Sequence, residues 1–471
     1  MGGVERKYVL NSRRQPEWRH IVILIGVSAL LLFGCSSIRH ALFQSGAFDL
    51  GYFDQAIYLI SRGQTPIVSF WGYHVLGGHA DWIVYLLAVL YRIVPDIHWL
   101  FGIQAIALAI AALPVWILAR DAGLKEPQAT TIASVYLLYP LVFNLNLFDF
   151  HPEVIALPLI LTAILAARRH QVIWFTVCII LTVGCRDALS LTVAAMGVWL
   201  FQFEQRRVCG AIALVVGVTW FFVATQVIIP AFRPEGVEAT VRYAYLGDSV
   251  FDIAKNLVLR PQIVLGRIFS PATAEYLLLL LVPLLWGIHW RYLAPMLAAL
   301  PMLLVNILSE SPSQRNLVHQ YSLPILPFLM VVVIAVWAAN TTWIRSQRAI
   351  LLWSLLAFLV LGKYTHFGSI YLDSLDNWAA TRTALSQVRS EGSVLTTHNL
   401  VPHLTHRALI RFTLANSPPD LAQFDYVLLD VRHPGWQSTT SFAASLVQQL
   451  QSDRRFDQRY QHDGVYLFTR S

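Results

Sequence analysis

Charge is scarce in this chain. Only 13% of its 471 residues are Asp, Glu, Lys or Arg, against 56% hydrophobic. With a mean hydropathy of +0.56, that balance excludes an ordinary soluble protein of this length. Cysteine is scarce too. Cys35, Cys178, Cys185 and Cys209 sit in or beside apolar runs without metal-type spacing, which argues against a disulfide framework and leaves them as small core residues. The sequence holds no internal repeat and no low-complexity tract. A net charge of +7 is spread over short basic clusters between apolar runs, which is a topology signal; no nucleic-acid partner is expected.

What is present is apolar length, with 15 Trp of the kind that gathers at membrane interfaces. A helix crossing the hydrocarbon core needs about 20 apolar residues. The candidate spans are Ile21–Ser37, Leu100–Ala119, Ala129–Leu147, Val154–Ala167, Val172–Gly184, Ala188–Phe203, Ala211–Ile229, Tyr276–Ile288, Leu293–Leu308, Leu323–Ala339 and Ile350–Leu361. The first follows Arg6, Lys7, Arg13, Arg14 and Arg19 and ends at Leu32-Phe33-Gly34-Cys35, the outline of a lipoprotein signal. Bulky Phe33 and the many later apolar segments favour a retained first span instead.

Trp82–Val94 decides the topology. If it lies along the interface, Arg120/Lys125, Arg168/Arg169, Arg206/Arg207, Arg291 and Arg345/Arg348 share the side of the basic N-terminus, as the positive-inside rule asks. The expectation is therefore an α-helical integral membrane protein of about 11 spans in the plasma (inner) membrane. Residues 1–20 would be cytoplasmic and residues 21–369 would form the membrane domain, with outer loops at 38–99 and 230–275. Residues 370–471 would form a small extracytoplasmic α/β domain. Its strands are read at Ser393–Thr397, Phe424–Asp430 and Gly464–Thr469, with a helix over Thr440–Gln451.

This topology gathers ionisable residues at the outer face. In Phe48-Asp49-Leu50-Gly51-Tyr52-Phe53-Asp54-Gln55, Asp49 either caps the amphipathic helix that follows or acts as a carboxylate base above the headgroups; Asp54 sits on its wet face or assists. His79, in Gly77-Gly78-His79-Ala80-Asp81, is a loop residue or a phosphate donor. In Phe148-Asp149-Phe150-His151-Pro152-Glu153, Pro152 and Glu153 suit a helix start. That leaves Asp149 and His151 unexplained. Such a density of His and carboxylate can bind a divalent metal, although no spacing is diagnostic. Arg186-Asp187 reads as an interfacial ion pair, with Asp187 able to face the same pocket. The Ser313–Tyr321 loop adds Arg315, His319 and Tyr321, groups suited to a phosphate or to a solvated loop.

The 48–55 and 148–153 motifs, the His79 loop and His319-Gln320-Tyr321 together resemble an uncharacterised prokaryotic membrane-protein family similar to the GT-C glycosyltransferases. The chain departs from that family at Cys185-Arg186-Asp187-Ala188, where adjacent acidic residues are the pattern. The resemblance implies a GT-C-like bundle and a polyprenyl-phosphate-sugar donor among membrane lipids. Asp49, or less directly Asp54, would be the catalytic carboxylate. Asp149, His151, Glu153, Asp187 and Tyr321 would bind substrate, while His79, Arg315 and His319 would face the leaving phosphate. A transporter or flippase of lipid-linked intermediates, or a scaffold that has lost activity, are the rival readings. The first usually shows inverted repeats and ionisable groups at the bilayer midplane.

Overall fold

The computed structural model describes residues 18–417 and 419–471. The basic N-terminal stretch expected to be cytoplasmic falls almost wholly outside the described residues. Each of the eleven apolar runs is helical, because apolar backbone without water as a partner must bond to itself.

Length separates them. Among the described residues, Trp18–Ala41, His98–Asp121, Arg207–Phe232 and Gln320–Ala338 are long and apolar enough to cross a bilayer. Two bent pairs, Pro261–Ile268 with Pro271–Gly287 and Gln347–Leu361 with Lys363–Asp376, raise the number to six if each is one span. The expected count of about eleven is therefore not reached on length and composition. Pro140 restarts one helix and Pro283 tightens another, while Val172–Val183 has only 12 residues, about 18 Å of rise. The Trp82–Val94 run yields Val84–Ile93, a helix of about 15 Å that is too short to span alone.

Burial sorts the long helices. The apolar window of Trp18–Ala41 is 17% buried and that of Gln320–Ala338 is 83% buried, so the first faces outward and the second is the hub. Leu189–Gln202 and Arg207–Val223 pack closest. A Cβ on Gly197 would come within 2.7 Å of the Gly210 carbonyl, a small-residue contact of the kind that lets membrane helices approach.

After residue 393 the chain forms a five-stranded mixed sheet ordered β4-β3-β5-β7-β6. Its strands are β3 (Val394–Thr396), β4 (Ile410–Phe412), β5 (Tyr426–Asp430), β6 (Phe456–His462) and β7 (Val465–Arg470). The earlier strands, β1 (Ile67–Val68) and β2 (Tyr73–His74), make a short hairpin. β3 runs parallel to β4 and β5, and β7 is antiparallel to β5 and β6. One face packs Leu395, Val427, Leu429 and Phe468 on Leu446, Val447 and Leu450 of helix Thr440–Ser452.

The sheet is fastened to the helical part through the 48–55 segment. Asp54 is fully buried; it accepts from the Tyr91 and Thr405 hydroxyls and pairs with His406 Nε2 at 3.2 Å. Gln55 donates to the Arg407 carbonyl at 3.0 Å and bonds Ser69, whose hydroxyl receives the Ile410 N–H. Asp54→Ala is expected to strand two buried hydroxyls and cost about 3 kcal/mol. Thermal unfolding and faster proteolysis after residue 393 would register the loss.

Candidate functional site

Asp49 lies on a single π turn, Ala47–Gly51, a distortion frequent at functional sites. Gly46 precedes it because nothing larger fits: a Cβ there would meet the His398 ring at 2.9 Å. The Gly46 N–H donates to Asp149 Oδ2 at 2.9 Å. Asp149 has φ +94°, a conformation costing on the order of 1–3 kcal/mol for a residue with a side chain. It is held there by that bond and by a buried ion pair with Arg39 at the end of the first helix.

This strained turn delivers His151. Its Nε2 is 3.1 Å from Asp49 Oδ1 and its Nδ1 is 3.3 Å from the Asp149 carbonyl. Both ring nitrogens face acceptors, as in an imidazolium. Burial alone lowers the His151 imidazole, but the Asp49 charge and hydrogen bond outweigh it and raise it above its ordinary value. Burial likewise raises the Asp49 carboxyl, and His151 outweighs it and holds Asp49 below the usual carboxylate range. The His151 contribution to stability is therefore full below its unfolded value near 6.5 and lost as pH rises through the higher folded one. In Asp49→Asn, burial remains while the main opposing charge is gone, so the His151 titration should move downward. Imidazole NMR resonances followed against pH would show it; an unchanged midpoint would refute the pairing.

A second chain of contacts runs alongside. Glu153, almost fully buried, opens its helix and pairs with the partly buried Arg186. Arg186 also donates to His79 Nε2 at 2.8 Å, and His79 Nδ1 lies 3.2 Å from Asp187 Oδ1. The ring is thereby fixed as the Nδ1–H tautomer. Arg186 lies over the Tyr321 ring at 5.8 Å and Arg242 over the same ring at 5.2 Å. Among the described residues, Arg186 is paired with Glu153, whereas Arg242 has no carboxylate within ion-pair distance.

Two cavities meet at these groups. One, of about 490 Å³, is almost wholly apolar and runs between helices past Phe221, Leu257, Leu304 and Val305. The other, of about 150 Å³, is lined by Phe48, Trp71 and Tyr73 and contains Asp49 and His151. His79, Arg186, Arg242, Gln320 and Tyr321 line both. An apolar cavity thus borders, across a neck carrying two arginines, an aromatic chamber with a carboxylate on its wall.

The structure brings together Asp49, His79, His151, Glu153, Asp187 and Tyr321 on the walls of these cavities. Asp149 supports the wall from behind. Asp54 lies outside it, in the contact with the sheet. Arg315 turns away to the Ser309 carbonyl, and burial pushes His319 down to about 4, leaving it uncharged at neutral pH against Phe148. Sequence reasoning assigned no phosphate role to Arg186 and passed over Arg242, one of several cations in the 230–275 loop and without motif context. Among the described residues no group of three or more His, Cys, Asp or Glu side chains is placed to hold a metal; Asp149 and His151 face different partners.

The model of a family described as predicted membrane proteins, DUF2079, matches residues 39–467. The chain belongs to that family. Its fold is similar to ArnT from Cupriavidus metallidurans bound to undecaprenyl phosphate, with a TM-score of 0.56, 11% identity, and coverage of 96% of this chain and 98% of that one. The apo state of the same protein aligns with a TM-score of 0.50 at 12% identity, covering 95% and 97%. No curated protein matched in sequence. The likeness extends over nearly the whole of both chains, so the DUF2079 chain shares its overall fold with that protein.

Proposed function

We propose that this DUF2079 protein is a membrane glycosyltransferase that moves a sugar from a polyprenyl-phosphate donor to an acceptor hydroxyl at the outer face. One observation carries the reading: the apolar and aromatic cavities share a neck containing Arg242, a cation without a carboxylate partner among the described residues. The large cavity suits the phosphate-proximal isoprene units, Arg186 and Arg242 suit the phosphate, and the aromatic chamber suits the sugar. The similarity to a protein crystallised with undecaprenyl phosphate supports the same lipid class.

In this mechanism the acceptor oxygen attacks the anomeric carbon and its proton passes to Asp49. The bond from that carbon to the phosphate oxygen breaks, with its electron pair leaving on the phosphate. Asp49 is ionised at neutral pH because His151 holds its carboxyl low. Residues 370–471 would face the acceptor on the outer side. Mass spectrometry of glycolipids and glycans from cells with and without the protein tests the reading. A glycan that gains or loses one sugar supports it, and an unchanged profile with altered uptake of a small molecule would replace it with transport.

A further inference from the structure

A further cavity lies apart from the neck and chamber. It encloses about 230 Å³ where the C-terminal sheet meets the loop after the first helix. Gln44, Asp373, Thr397, Asn399, Asp430 and His433 line it, with Phe43 and Leu400 as apolar wall. Thr397 directly follows β3 and Asp430 ends β5, two parallel neighbours. The cavity therefore lies outside the carboxyl ends of parallel strands, where open α/β sheets bind ligands.

Its chemistry is that of a polar site awaiting a partner. Thr397 has no exposed surface, and its hydroxyl has no hydrogen-bond partner. A buried hydroxyl left without one normally signals a missing group. Asp430 is held rigid, its Oδ1 accepting from Asn377 Nδ2 at 2.9 Å and from the Arg432 and His433 N–H groups at 3.0 Å. Two carboxylates line the cavity and, among the described residues, no Lys or Arg does. An anion is therefore disfavoured. Hydroxyl, amide and carboxylate groups beside an apolar wall match a molecule that carries hydroxyls on one face and C–H on the other. The volume is below the roughly 300–1,000 Å³ of sites for drug-sized ligands, enough for one ring.

We propose that this cavity binds one uncharged sugar ring. Asn399 bonds His398, the ring packed on Gly46 ahead of Asp49, which places the bound ring next to the catalytic loop as part of a glycan acceptor. The acceptor role rests on the transferase reading; the binding itself does not.

Full-length protein in a detergent without a sugar headgroup would be titrated with glucose, galactose, mannose, N-acetylglucosamine and glucuronate by saturation-transfer NMR. At least one neutral sugar is expected to bind in the millimolar range and glucuronate is not. Thr397→Val should weaken binding about tenfold, and Asp373→Trp, which fills the cavity from its rim, should abolish it at unchanged melting temperature. Silence from every neutral sugar, equal binding of glucuronate, or normal binding in both variants would overturn the assignment. A binding failure would leave the transferase reading untouched, and loss of transfer in a chain that still binds sugar would do the reverse.

Discussion

Asp49→Asn should lower the rate of sugar transfer by about 10²–10⁴-fold, the usual contribution of a positioned base, while donor affinity stays within a few-fold. The amide keeps the shape of the side chain and an oxygen facing His151, so the π turn and the chamber survive. What disappears is the ability to take a proton. The loss should fall on kcat, because the arginine neck that would hold the phosphate does not touch this residue. The pH profile adds a second reading. Since His151 holds Asp49 below the usual carboxylate range, the acid limb of transfer by the unmutated chain should lie below about pH 4, the ordinary Asp value. Turnover in Asp49→Asn equal to that of the parent would remove Asp49 as the base. Equal loss of donor binding and turnover would instead make it a structural cap.

How legible this was in the sequence differs by residue. The helices could be read because an apolar run in a chain with so few charges has one way to satisfy its backbone. Their number as spans could not, since proline breaks and bends change length without changing composition. β3, β5, β7 and the helix between β5 and β6 were visible as apolar strands and an amphipathic segment. β6 was not, because Asp457-Gln458-Arg459 is an exposed polar edge with only Phe456 buried. β4 is no shorter than β3, but its two buried residues, Ile410 and Phe412, flank the exposed Arg411, whereas β3 is buried throughout and shows as an uncharged run. At the site, Asp49, His151 and Glu153 stood out as charges among aromatics. Asp54 looked equivalent to Asp49 because sequence gives adjacency and not direction: five residues further along, past the π turn, it points to Thr405 and His406, some 350 positions away in the chain. Arg242 lacked a signal for the same reason. It matters only because a loop folds it over Tyr321 and opposite Arg186.

Arg186 should show the second large effect, and it separates structure from function. Glu153 keeps a side-chain exposure of only 4% and has Arg186 as its ion-pair partner. Arg186→Met would leave that carboxylate buried and unpaired, at a cost of about 3–5 kcal/mol, read as a lower melting temperature in detergent. It would also free His79 Nε2, which now accepts from the guanidinium. The double variant Arg186→Met/Glu153→Gln removes both charges together. Since a buried ion pair exchanged for neutral groups of similar volume is often near neutral in stability, the melting temperature should return most of the way. Donor binding should not return, because half of the positive neck remains absent. If both stability and donor binding recover in the double variant, Arg186 serves only to neutralise Glu153, and the phosphate site must be built on Arg242 alone. If stability never falls in the single variant, water or lipid already reaches Glu153 and the neck is open to solvent. Recovery of folding without recovery of binding is the outcome that ties this arginine to the anion.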